Sequence, residues 1–201
     1  MSTAPVTPTT STQPGSATSG SGAVPRAKDE VVDITRRLIR FDTSNNGTAE
    51  SGQERDSAEY VAGLLQEVGL ETQILESEPG RASVFARVAG RNPDAPALAV
   101  HGHLDVVPAA AQDWRVDPFE GVLEDGVIWG RGAVDMKDMD AVILSVLRQR
   151  LREGRAPERD LVVAFFADEE AGGTRGPGGR GPGGRGRLRR RPGRLDRSGR
   201  P

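Results

Sequence analysis

The chain has no cysteine among its 201 residues. That excludes a disulfide framework and any thiolate metal site. It suits a reducing compartment, so the expected location is the cytoplasm. Long apolar runs are missing too. The longest, Leu161 to Ala167, is far too short to cross a bilayer, and no membrane partner is expected. The N-terminus has neither a basic start nor an apolar core, so it does not read as a secretory signal. Histidine is scarce: His101 and His103 are the only two. Acidic and basic residues nearly balance, at a formal net charge of −2, but they are not mixed evenly. Ten arginines and a single acid, Asp196, lie between Ala171 and Pro201, which leaves the rest distinctly acidic.

Composition divides the chain in three. Residues 1 to 25 are mostly Ser, Thr, Pro, Gly and Ala. Such a segment buries too little apolar surface to offset its ordering entropy, so a disordered tail is expected. Residues 26 to 174 carry the periodic patterns of a globular unit. Residues 175 to 201 are mostly Gly, Arg and Pro, with Arg-Gly-Pro-Gly-Gly twice in succession, and a second disordered tail is expected there.

Within the middle part, Val31, Ile34 and Leu38 recur at helical spacing, and the run Asp42 to Gly47 ends that helix. A second helix is predicted from Gln53 to Val68, with Ala58, Val61, Leu64, Leu65 and Val68 inward and Gly69 as its stop. Strands are predicted near Glu71–Ser77, Ala82–Val88, Ala97–His101 and Asp160–Ala167, with a short one at Val127–Trp129. A third helix covers Met136 to Arg152, with Met139, Val142, Ile143, Val146, Leu147 and Leu151 inward. Helices alternating with apolar strands predict an α/β fold around a mostly parallel central sheet. Sites in such folds gather at the carboxyl ends of strands.

Three clusters stand at such ends. The first is His101-Gly102-His103-Leu104-Asp105, after the apolar run Ala97–Val100, which reads as a buried strand. Residues two apart on a strand share a face, so His103 and Asp105 project together. Imidazole beside carboxylate suits a divalent metal: a nitrogen ligand and an acid that orients it. The second is Gly130-Arg131-Gly132-Ala133-Val134-Asp135-Met136-Lys137-Asp138, where glycines let the backbone turn Asp135 into a crowded site. The third is Asp168-Glu169-Glu170. Adjacent acids diverge, so one can ligate metal while the other faces substrate as general base. Each cluster also has a plainer reading. His103 and Asp105 can form a structural hydrogen bond, Asp135 can cap the following helix, and the acidic triplet can be a solvated loop. His101 reads as a core histidine. The three clusters together, in α/β order, favour the metal reading.

Three runs carry a family resemblance: His101 to Pro108, Trp129 to Lys137, and Asp168 to Gly173. In order and spacing they resemble the co-catalytic zinc aminoacylases and carboxypeptidases, with acetylornithine deacetylase and succinyl-diaminopimelate desuccinylase. The resemblance covers residues 27 to 174, the N-terminal part of that family's catalytic domain. It implies that His103 ligates one metal, that Asp105 holds the His103 ring, and that Asp135 bridges two metals and precedes a cis peptide bond to Met136. It implies Glu169 as general base and Glu170 as ligand of the other metal. The implied cofactor is a pair of Zn²⁺ ions, with Co²⁺ as substitute. The implied reaction is hydrolysis of an amide bond in a small peptide or an N-acyl amino acid.

After Thr174 the resemblance stops. The family's further acidic ligand, its lid or dimerisation domain and its distal histidine have no counterpart, and Asp196 does not read as a ligand. The expectation is therefore a truncated or frame-shifted chain with weak metal binding and little turnover, without the family's homodimer contact. The alternative is a non-catalytic protein whose basic tail binds polyanions such as RNA, non-specifically, through phosphate contacts.

Overall fold

The computed structural model describes residues 24–173. Apart from Val24 and Pro25, both expected tails lie outside the described residues. The described part opens with α1 (Ala27–Ile39). The Asp29 carboxylate accepts the backbone N–H of Arg26 at 3.0 Å and closes the first turn. Ile34, Leu38 and Ile39 are buried. Helix α2 (Arg55–Gln66) buries Ala58, Val61 and Leu65, and Gly69 follows in the left-handed region at φ 81°.

Four strands form one sheet in the order β1 (Thr72–Glu76), β2 (Ala82–Val88), β6 (Leu161–Phe166), β3 (Leu98–His103). The α/β class stands, and the sheet is mixed. Strands β3 and β6 run parallel, whereas β1–β2 and β2–β6 are antiparallel. The five residues between β1 and β2 are too few for a crossover, so that pair must be antiparallel. Strand β3 is an edge of the described sheet, not a buried strand: Leu98 is 52% exposed. Strands β4 (Val122–Glu124) and β5 (Val127–Trp129) make a separate hairpin. Asp125 and Gly126 turn it with positive φ at both positions, the habit of Asp-Gly in a tight hairpin.

Helix α3 (Lys137–Arg152) corrects the expected inner stripe. Leu147 is buried, and Ile143 and Leu151 pack against the core, but Met139, Val142 and Val146 are exposed. The buried face instead holds Lys137, Asp140, Ala141, Leu144, Ser145 and Arg148 alongside Leu147. These polar groups go inside because most find partners. Lys137 Nζ donates to the carbonyls of Leu38 and Phe41, where α1 runs out of backbone N–H donors. Arg148 donates to Glu30 and Glu67, both at 2.9 Å, and so ties α3 to α1 and α2. Leu144→Ala is therefore expected to cost about 2–5 kcal/mol. Val142→Ser or Val146→Ser should stay within about 0.5 kcal/mol. Urea midpoints of the three variants check the assignment, and equal losses would contradict it.

Candidate metal centre

The site begins with backbone register. The segment after α1 runs alongside the end of β3: Asn45 donates its N–H to the Val106 carbonyl, and Val106 donates to Thr43. Ser44 and Val106 pair as a parallel bridge. This carries the Asn45 side chain to Asp105, and its Nδ2 donates to Asp105 Oδ2 at 2.8 Å and to Asp168 Oδ1 at 3.1 Å. The pairing of β3 with β6 sets His103 opposite Phe166, so both strands end at the same level. Beyond β6, Asp168 adopts the left-handed conformation at φ 68° and turns the chain.

The third contribution comes from the loop before α3. Gly132, at φ 84°, lets that loop turn as expected, and Lys137 N–H closes it on the Gly132 carbonyl at 2.9 Å. The Asp135–Met136 peptide is cis. Asp135 does not cap α3; the residue at that position is Met136, with no side-chain cap. The Asp135 side chain stands 75% exposed, with Oδ1 3.2 Å from His103 Nε2.

One ligand atom each from His103, Asp135 and Glu170 lies within 4.8 Å of the others. Glu169 Oε2 is 3.8 Å from His103 Nε2, and its side chain is 61% exposed. Asp105 is buried behind them. Its contact with the His103 ring is made chiefly by its main chain, whose carbonyl lies 2.9 Å from Nδ1, while its carboxylate Oδ1 is 3.6 Å away. The carboxylate instead accepts the backbone N–H groups of Glu169 and Glu170, at 3.1 and 3.0 Å. It thus fixes the main chain of both glutamates. His101 lies apart from this group and is no core residue: it is exposed, edge-on to Phe166 at 5.6 Å.

Burial and charge set the protonation of the site. Burial pushes the Asp105 carboxyl up, but the His103, Asn45, Glu170 and Glu169 donors outweigh it and hold the group below the usual range. Burial pulls the His103 ring down, yet its contacts with Asp105 and the charges of Asp105 and Glu169 raise it to about 9. Burial raises Glu170, against the pull of His103. An imidazole ringed by carboxylates in this way is a donor set for a dication.

Several residues of the site carried no signal in the sequence. Arg81 is buried and donates from Nη1 to Glu54 at 2.8 Å and from Nη2 to Asn45 Oδ1 at 2.9 Å. Asp168 lies 3.9 Å from the same guanidinium. Gly52 makes room for it, since a Cβ there would fall 1.4 Å from Arg81 Nη1. Arg81 and Glu54 thus brace Asn45, and Asn45 braces Asp105. Only their shared burial reveals the set.

A mixed α/β sheet with an imidazole and paired carboxylates converging at its strand ends defines an α/β protein with a candidate metal centre. Residues 99–189 match the family model of Peptidase family M20/M25/M40, a range that continues past Thr174. Aminoacylase-1 of Sus scrofa is 38% identical over 118 residues, 58% of this chain and 29% of that protein. Succinyl-diaminopimelate desuccinylase of Delftia acidovorans is 36% identical over 116 residues, 56% of this chain and 30% of that protein. The fold is similar to that of human carnosine dipeptidase 1, with a TM-score of 0.63 at 23% identity, over 74% of this chain and 34% of that one. The chain is similar over part of its length to M20 peptidases and aminoacylases, and it spans about a third of the length of the curated relatives it matches.

Proposed function

We propose that this chain carries the histidine–carboxylate part of a centre that hydrolyses amide bonds in small peptides or N-acyl amino acids. The observation that carries the reading is the convergence of His103, Asp135 and Glu170 within 4.8 Å. The family match supports it. The same donor set suits zinc, with cobalt as a substitute. What a divalent ion supplies at such a site is Lewis acidity toward a carbonyl oxygen and a more acidic water.

The chain's own residues do the rest. Nδ1 of His103 is engaged by the Asp105 carbonyl, which leaves Nε2 as the ligand atom. Asp135, exposed beside His103 Nε2, would offer its carboxylate to the ion. Glu170 completes the donor set. Glu169, its main chain pinned beside Glu170 by Asp105, accepts the proton of the attacking water at its carboxylate and returns it to the leaving amine. Asp105 keeps the two glutamates in register, so that one serves the ion and the other the substrate.

Isothermal titration with zinc tests this, together with hydrolysis of a panel of N-acyl amino acids and dipeptides. His103→Ala should weaken zinc binding by at least about 100-fold, more than the loss of an outer partner of a ligand. Glu169→Gln should leave zinc binding within about twofold and remove whatever turnover the chain has. Zinc affinity unchanged in His103→Ala would overturn the reading.

A further inference from the structure

Strand β3 is one edge of the described sheet. From Ala97 to Leu104 it carries no Lys, Arg, Asp, Glu or Pro, the residues that ordinarily keep other chains off an edge. The opposite edge, β1, is bracketed by Glu71 and Glu76. We propose that the β3 edge pairs antiparallel with the same edge of a second copy of this chain, with α3 of one copy packed against α3 of the other.

Hydrogen-bond direction sets the register. Leu98 donates its N–H to the Asp160 carbonyl and Leu104 to the Phe166 carbonyl, both on the β6 side. Parallel pairing engages alternate residues, so Leu98, Val100, Gly102 and Leu104 are spent on β6. Ala99, His101 and His103 turn their N–H and C=O outward. A two-fold axis through His101 sets that residue opposite its own copy and Ala99 opposite His103. These are three pairs that each exchange two hydrogen bonds.

The helix above fits the same axis. As the crossover between parallel neighbours β3 and β6, α3 lies over that pair. It meets β3 at Gly102, where Asp140 Oδ1 takes the space a Cβ would need. Strands lie about 4.8 Å apart, which brings the two α3 axes to about 10 Å, the distance of helices in contact. Asp140 faces the sheet, and Arg148, Gln149 and Arg152 bond to α1. At 3.6 residues per turn, the side toward the open edge then holds Met139, Ile143 and Val146. Met139 and Val146 are 47% and 46% exposed although apolar. Since α3 runs back along β3 from Gly102, Met139 of one copy falls near Val146 of the other.

The chain does not cover this edge from its own remainder. Residues 1–23 and 174–201 have Met1, Val6, Leu188 and Leu195 as their large apolar side chains, with no alternating pattern to make a strand. The paired surface is about 20 Å long and about 15 Å deep, roughly 300 Å² of each copy, against about 800 Å² per partner in a standard interface. A reversible dimer with Kd of about 10–500 µM is therefore expected.

Sedimentation equilibrium of the full chain, without added metal, from about 5 µM to about 1 mM brackets that range. Ala99→Pro removes an outward N–H that no neighbour in the sheet uses, and should weaken the dimer at least about 10-fold. The double variant Met139→Lys with Val146→Lys should do the same by setting like charges face to face. If Ala99→Pro does not fold, the lysine pair decides, because both positions are exposed in the single copy. In a chain without cysteine, His101→Cys gives one thiol, with its partner Cα about 5.5 Å away across the axis, and should form a disulfide-linked dimer under oxidised glutathione. A monomer at every concentration would overturn the proposal. So would a dimer that both variants leave equally tight, or one that His101→Cys fails to cross-link, since the contact then lies elsewhere.

Discussion

Arg81→Met is expected to destabilise the chain by about 3–5 kcal/mol, the cost of breaking a buried ion pair from one side. Arg81 and Glu54 are both buried, and their side chains meet at 2.8 Å. Methionine fills similar space but offers no donor. The Glu54 carboxylate, Asn45 Oδ1 and the Thr48 carbonyl would all lose a partner at once. Burial already pushes Glu54 up to about 7 even with Arg81 pulling it down, so the group is poised to be expelled or protonated once the guanidinium is gone. For a chain of this length, the loss should lower Tm by roughly 10 °C. The double variant Arg81→Met with Glu54→Gln should recover part of it, because the orphaned charge is then removed too. Urea denaturation of the two single variants and the double provides the measurement. A loss below about 1 kcal/mol for Arg81→Met would show that the network is not what holds this end of the sheet.

Raising pH should cost the metal-free chain up to about 3 kcal/mol between pH 6.5 and 9, relative to His103→Gln. The His103 ring titrates near 9 in the folded chain against an ordinary 6.5. Burial opposes the charged ring, but Asp105 and Glu169 overcome that. The folded state therefore holds the proton more tightly than the unfolded one. The stability this contributes is fully present below pH 6.5 and is lost as pH rises through 9. Lys137, which burial pulls down to about 8, acts in the opposite sense over part of the same range. The glutamine variant keeps Lys137, so the difference between the two chains isolates His103. Denaturant midpoints at pH 6 and 9.5 settle it, and parallel curves would refute the linkage. Saturating zinc should remove the difference if His103 is a ligand, because the ion then takes the proton's place.

His103, Asp135 and Glu170 are legible because each sits in a short run with its own local grammar: a strand end, a glycine turn, an acid pair after an apolar strand. The structure brings those three together from stretches that the sequence separates. The order of helices and strands is legible for the same reason, since a period of two or 3.6 is a property of neighbouring residues. Among the described residues, the β4 strand and the short 3-10 turn Ala111–Asp113 escaped, although Asp125-Gly126 marked the turn of β4.

What the linear pattern does not carry is which polar side chains find partners. Helix α3 has apolar residues on more than one face, and hydrophobicity alone selects the stripe through Val142 and Val146. The face through Asp140, Leu144 and Arg148 is the buried one, because Arg148 meets Glu30 on α1 and Glu67 just past the end of α2. Asn45 and Arg81 are likewise silent in sequence, 36 residues apart, and Asn45 reaches Asp168 across 123. Asp105 shows the same division within a single residue. Its spacing from His103 follows from strand alternation, but its carboxylate spends its acceptors on the backbone of Glu169 and Glu170. By itself, then, the sequence determined the element order and marked His103, Asp135 and Glu170 as residues of metal-ligand type. Only the tertiary structure decided the strand directions, the buried face of α3 and the polar brace behind the site. The reason is that desolvating a charge is favourable only when its partner is already in place, and that partner lies far along the chain.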